Sequence, residues 1–222
     1  MMVDLPQILR RAGVVGAGGA GFPTYVKAQS KAEIVIANGT ECEPLLYKDT
    51  ALMIGRAAEI IRGLQLMMEA TGAKEGIIGI KKKKKEALAA MEHAATGTAC
   101  RVFPLGDHYP SGDEYVLVYE ATGRLIPPRG IPIQVGVVVN NVETLLNVAA
   151  AAAGRPVISK SLTVTGAVRQ PLSLTVPIGT AFGEVLAAAG GTNVADYGIF
   201  VGGVMMGRLV YDLNLPVTKT TN

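Results

Sequence analysis

The residues best suited to chemistry in this sequence are glycines, amides and carboxylates. The segment Gly16-Ala17-Gly18-Gly19-Ala20-Gly21-Phe22-Pro23-Thr24 carries a G-x-G-x-x-G spacing at Gly16, Gly18 and Gly21. Without Cβ atoms a backbone can lie against a phosphate or a planar ring, and its free N–H groups supply donors. Such a loop serves dinucleotides when a strand precedes it and a helix follows. Here Leu5–Arg11 reads as a helix capped by Gly13, and the first clear strand ends on Asn38 rather than on an acid. A standard Rossmann NAD site is therefore disfavoured, and a glycine-rich turn between packed elements stands as the plain alternative.

Other chemistries find little support. The sequence holds no G-x-x-x-x-G-K-S/T, H-E-x-x-H or G-x-S-x-G, which argues against P-loop phosphoryl transfer, zincin proteolysis and elbow-type hydrolysis. Cys42 and Cys100 are too few for a disulfide framework or an iron–sulfur cluster. Glu41 and Glu43 flank Cys42 and oppose thiolate formation there. Both cysteines read as packed spectators. His93 reads as solvent-facing, and His108 stands beside Tyr109 without a partner for acid–base work. The run Lys81–Lys85 reads as a solvated strand-to-helix junction.

The elements that must position these residues alternate. Glu33–Asn38, Gly76–Ile80, Arg101–Leu105 and Gln134–Asn140 are short apolar runs bounded by turn residues or charge, suited to strands buried on both faces. Between them lie helical patterns: Asp49–Thr71, ended by Gly72, then Lys83–Ala95, then one from Glu143 to before Gly154-Arg155-Pro156. This alternation argues for an α/β layer fold. After Pro156 the pattern changes. Leu162–Val168 and Ser173–Ile178 alternate with period two, Phe182–Ala189 reads as a short helix, and Ile199–Val201 and Leu209–Asp212 as strands. The expectation is an α/β domain over residues 1–156 and a small α+β domain over 157–222, with the polar end suggesting a fragment.

Composition agrees with a folded chain. Of 222 residues, 49% are hydrophobic and 18% charged, which excludes a disordered polyelectrolyte. A chain this long buries roughly 70% of its unfolded surface and needs no covalent staple. The net charge of +3 is too small and too dispersed for a nucleic-acid binder. No secretory signal and no membrane-length apolar run are visible, so a cytoplasmic location is expected.

Four ordered blocks add a resemblance. The glycine loop continues through Phe22-Pro23-Thr24-Tyr25-Val26-Lys27. Asn38-Gly39-Thr40-Glu41-Cys42-Glu43-Pro44 follows, then Tyr109-Pro110-Ser111-Gly112-Asp113-Glu114, then Asn140-Asn141-Val142-Glu143-Thr144-Leu145. In this order they resemble the flavin-binding domain shared by the NADH-binding flavoprotein of respiratory complex I and the Rnf C protein of the Rnf electron-transport complex. The shorter Rnf C-like proteins, such as cobalamin reductases of propanediol-utilising microcompartments, are the nearest in pattern. The second part, with LTVTGAV, TVPIGT and Gly202–Gly207, is similar to the soluble-ligand-binding β-grasp (SLBB) domain of those proteins.

The resemblance implies a Rossmann-like domain that binds FMN non-covalently and takes a hydride from NADH. Gly16, Gly18, Gly19 and Gly21 would surround the flavin, with Lys27 by its phosphate or ribityl chain. Asn38 and Glu41 would edge the isoalloxazine. Phe22 and Glu43 would face the nicotinamide nucleotide. Tyr109, Gly112, Asp113 and Glu114 would line the same pocket, and Asn140, Asn141 and Thr144 would hold the phosphate. That last assignment has its own physical support, because a strand end meeting a helix start favours an anion.

Three departures from the complex I pattern are Ala17 for arginine, Tyr25 for glycine and Thr40 for aspartate, which together predict a less electropositive pocket. The clustered cysteines that hold [4Fe–4S] clusters in Rnf C-like proteins are absent from this sequence, so electrons would leave to a downstream domain or a redox partner. Attachment as a peripheral member of a larger complex at the inner membrane and enclosure in a microcompartment are both compatible with this. A non-catalytic scaffold, and a module that docks a corrinoid or a partner protein, remain as alternative readings.

Overall fold

The computed structural model describes residues 4–221. Asp4 opens the first helix, α1 (Leu5–Ala12), by accepting from the Gln7 N–H, and Gly13 ends it in the left-handed conformation. A short helix, α2 (Thr24–Ala28), follows the glycine loop. Four strands then build one parallel sheet: β1 (Ile34–Asn38), β2 (Glu75–Lys81), β3 (Cys100–Leu105) and β4 (Val137–Asn141), in the order β3-β2-β1-β4.

The connections are helical. Residues 48–71, read from the sequence as one helix beginning at Asp49, form two: α3 (Lys48–Gly55) and α4 (Ala57–Thr71). The break falls at Arg56, whose φ of −134° is not helical and whose guanidinium turns to Glu59. Gly55 before it has a weak helical preference. The division lets α3 pack on α5 (Lys85–Ala95) while α4 packs on α7 (Val142–Ala152). At Gly63 of α4, an added Cβ would fall onto the Leu145 backbone of α7, 2.6 Å from its carbonyl carbon. Only glycine permits that approach.

Alternate strand residues feed two cores. Val35, Ala37, Ile78, Ile80 and Val138 pack under α1, α4, α5 and α7. Ile34, Ile36, Ile77, Val137 and Val139 pack under α6 (Glu114–Thr122). The chain therefore covers one face on its way through β2 and β3, then crosses beneath the other to bring β4 beside β1. A 3-10 helix, Pro132–Val135, takes up the start of the expected fourth strand, and Gly136 turns the chain into β4. This reversal of winding opens a crevice at the carboxyl ends of β1 and β4, where ligands bind in open α/β sheets.

The second part has its own small core of Leu162, Phe182, Val185 and Val217. It contains the antiparallel pair β5 (Ser159–Val164) and β6 (Leu172–Pro177), helix α8 (Phe182–Ala188) and a second pair, β7 (Ile199–Val201) and β8 (Arg208–Val210). Among the described residues no helix is long and apolar enough to cross a membrane.

Candidate functional site

The glycine loop is closed at its base by a bridge between Val15 and Pro23 and by Gly16 N–H donating to Phe22 O at 2.8 Å. Gly19 and Gly21 take φ of +112° and +67°, values that a side chain disfavours. Between them and the base, Ala17 is held at both backbone groups. Its N–H donates to Thr144 Oγ1 at 2.9 Å, and its carbonyl accepts from Lys160 Nζ at 2.7 Å. Gly18 lies so close to Asn141 that an added Cβ would sit 3.3 Å from the asparagine Cβ.

The strand ends supply the next layer. Asn38 donates through Nδ2 to Gly112 O at 2.8 Å and accepts from Thr40 Oγ1 at 2.7 Å, tying β1 to the loop before α6. The Gly112 N–H donates to Cys42 Sγ at 2.9 Å, so Cys42 is a packed acceptor. Asn141 caps α7 by accepting from the Glu143 N–H, and its Nδ2 donates to Asp49 Oδ2 at 2.8 Å. The Glu41 carboxylate accepts from the Asp49 N–H, the Thr50 N–H and the Thr50 hydroxyl, and so closes the start of α3. Burial, and then the nearby Asp49 charge, push the Glu41 pKa above its ordinary value.

These segments wall a cleft of about 1050 Å³. Of the residues expected from the sequence, it gathers Gly18, Gly19, Asn38, Glu41, Glu43, Tyr109, Gly112, Asp113 and Asn141. Gly16, Gly21, Phe22, Lys27, Glu114, Asn140 and Thr144 are not part of that wall. Lys27 donates to Val139 O at 2.6 Å and lies 5.6 Å from the centre of the Phe22 ring. Burial lowers its pKa, and the Glu114 charge partly offsets this. Among the described residues three buried polar side-chain atoms lack partners: Thr24 Oγ1, Asn140 Nδ2 and Glu43 Oε2. The other oxygen of Glu43 accepts from the Met205 and Met206 N–H groups at 2.9 and 2.8 Å.

Sequence reasoning missed a buried ionic cluster at the cleft wall, which Lys48 and Asp49 help to line. Lys48, Asp49, Glu143 and Lys160 are each at most 6% exposed. Lys48 donates to Asp49 Oδ1 at 2.8 Å and to Glu143 Oε2 at 3.1 Å, Lys160 pairs with the same Glu143 oxygen, and Ser161 N–H donates to the other at 2.9 Å. Burial opposes the Lys48 charge, but Asp49 and Glu143 outweigh it and hold this ammonium protonated above the ordinary lysine range. Burial, and then the Lys48 charge, bring Lys160 down to about 8. The lysine run also differs from expectation. Lys81 is buried, and Lys84 lies over the Tyr47 ring and 3.8 Å from Glu41. Lys83 pairs with Asp107 at the surface.

Residues 9–150 match the Nuo51 FMN-binding domain, and residues 161–209 match the SLBB domain. The chain belongs to the Nuo51 FMN-binding family. Its curated relatives include cobalamin reductase PduS of Salmonella typhimurium, 50% identical over 98% of this chain and 48% of the relative. The C component of the proton-translocating ferredoxin:NAD(+) oxidoreductase complex of Clostridium ljungdahlii is 37% identical over 96% of this chain and 48% of its own length. The chain thus spans about half the length of the curated relatives it matches. Among solved structures, an NAD+-reducing [NiFe]-hydrogenase in the air-oxidized state superposes with a TM-score of 0.83 at 30% identity, covering 98% of this chain and 44% of that one. The Nuo51 FMN-binding match covers the glycine loop, the whole parallel sheet and most of α7.

Proposed function

We propose that the cleft at the carboxyl ends of β1 and β4 holds FMN, and that this chain acts in passing electrons from NADH to an iron–sulfur centre outside its 222 residues. The observation that carries the reading is the convergence of the glycine loop, the β1 end, the 109–113 loop and the β4 end on one cleft. Bound FMN would supply hydride acceptance and one-electron release, chemistry that no side chain here provides.

The residues present fit that group. The Gly18-Gly19 backbone on the cleft wall permits close approach, and beside that wall Asn140 Nδ2 is a buried donor without a partner. The α7 start favours a phosphate. Of its two asparagines, Asn140 keeps a free donor, whereas the Asn141 amide is spent on Glu143 and Asp49. Thr144 acts on the loop through Ala17. Asn38 and Glu41 shape the flavin edge by fixing the 109–114 loop and α3. Tyr109, Gly112 and Asp113 line the cleft, and Glu114 and Lys27 lie outside its wall. On the nucleotide side, Phe22 is exposed, and Glu43 lines the cleft with a buried carboxylate oxygen that has no partner. The division into two domains at residues 156 and 157 belongs to the same reading, since α7 ends at Ala152 and β5 starts at Ser159.

Anaerobic absorbance titration tests it. Addition of FMN should give a saturable shift of the flavin bands, and NADH should then bleach them. An unperturbed flavin spectrum over folded protein would defeat the proposal. Binding without bleaching would defeat its NADH part alone. A second reading, docking of a ligand or partner on the SLBB part, is favoured by an apolar cavity of about 290 Å³ among Leu162, Val164, Phe182, Val185 and Ile199.

A further inference from the structure

We propose that Lys160 of β5, the residue just before the SLBB match, is a positioning residue for the glycine loop, so that the flavin site is completed by both halves of the chain. The flavin consequence rests on the reading above, while the loop consequence stands by itself.

The geometry is a clamp. Thr144 of α7 accepts from the Ala17 N–H, and Lys160 of β5 donates a hydrogen bond to the Ala17 carbonyl. Both clamping residues are joined through α7, because Glu143, the neighbour of Thr144, pairs with Lys160 and accepts from the Ser161 N–H. The next residues after Ala17, Gly18 and Gly19, form the cleft wall. Lys160 is 2% exposed. A buried ion pair adds little net stability over well-packed apolar side chains, so packing does not account for a lysine here. What an apolar residue could not do is donate to the loop carbonyl. Each neutral alternative would leave that carbonyl without its charged partner, a loss that ordinarily exceeds that of a neutral hydrogen bond.

The charged groups facing Lys160 are Lys48 and Asp49 from α3 and Glu143 from α7, while the glycine loop presents its backbone. The balance among them leaves Lys160 able to lose its proton as the pH rises through about 8. The clamp should therefore loosen over that range.

Hydrogen exchange of the whole chain without flavin provides the test. In Lys160→Met, protection of the 16–21 amides should fall about tenfold or more, the loss expected for a charge-assisted hydrogen bond. Protection in β2 and α5 should fall by less than protection in the loop. In the wild type, loop protection should decline as the pH rises through about 8, and in the variant it should lack that step. FMN affinity should weaken by a similar factor. Unchanged loop protection in folded Lys160→Met, or a pH step that survives it, would overturn the proposal. If Lys160→Met does not fold, Lys160→Met with Glu143→Gln leaves Lys48 and Asp49 charge-balanced and an oxygen for Ser161 N–H, and is judged by the same loop protection. A wild type that binds no FMN would remove the flavin reading, and loop exchange would still decide the clamp.

Discussion

Asn38 and Asn141 are register partners at the carboxyl ends of β1 and β4, and their amides reach to different elements. Asn38 holds the loop before α6 through Gly112, and Asn141 holds the start of α3 through Asp49. The seam between the two strands is therefore braced at its carboxyl end by two different elements.

Asn38→Ala should release the Gly112 carbonyl and cost about 1–2 kcal/mol of stability. The 109–114 loop should loosen, and FMN affinity should fall by about tenfold, the factor that corresponds to such an energy. Asn38→Asp should be worse than alanine, because it sets a carboxylate against that carbonyl. Urea midpoints and FMN titrations of both variants check the order.

At Gly112 an added Cβ would collide with the Thr40 hydroxyl and sit 2.8 Å from Cys42 Sγ. Gly112→Ala should destabilise by about 1–3 kcal/mol, as overpacking does, and should abolish flavin binding. Gly112→Ala combined with Thr40→Ala should recover part of the stability but not the Asn38 contact geometry. Thermal melts of the single and double variants give the comparison.

Much of this arrangement is legible in the residues alone. All four parallel strands follow from short, largely apolar runs between turns, and the motif order brings Asn38, Glu41, Gly112 and Asn141 to one place. Helix α6 is not legible in this way, because Glu114–Thr122 is apolar around most of its circumference and carries no helical stripe. The ionic cluster is hidden for a different reason. A lysine in a short alternating segment reads as solvent-facing, and the alternation itself starts only at Leu162. The sequence carries no signal for it: only the structure shows Lys160-Ser161-Leu162 buried throughout, against the alternation of a one-sided strand.

Stability should carry the mark of Lys160. Its folded pKa of about 8 lies below the ordinary value of 10.5, so between those values the unfolded chain binds more protons than the folded one. Stability gained from this group therefore rises with pH across that window, by at most about 1.4 kcal/mol per pH unit. Lys160→Met should lack this contribution. The difference between wild-type and variant urea midpoints, followed from pH 8 upward, measures it.

Glu43 joins the cleft to the 202–207 segment through two backbone N–H groups. Glu43→Ala should raise amide exchange at Met205 and Met206 and leave the parallel sheet unchanged. Under the proposed function it should also raise the KM for NADH more than it lowers kcat, since it removes an acceptor from the nucleotide side. Steady-state rates with an artificial electron acceptor separate the two constants.

Gly63→Ala should be among the most damaging single changes. The new methyl group meets backbone rather than a movable side chain, so α4 and α7 must part, at a cost of about 2 kcal/mol or more. Calorimetric unfolding would show it.

The buried cluster also bears on how this architecture can be inherited. Lys48 and Asp49 lie in α3 and Glu143 in α7, whereas Lys160 lies beyond them in β5. Two cations and two anions balance only when both segments are present. A recombination event that exchanged one segment for a distant counterpart would strand an ion in the interior unless the incoming sequence carried the matching charge. Under the proposed division the two segments should be inherited together, and a lineage that loses the lysine should also be found to have altered the glutamate.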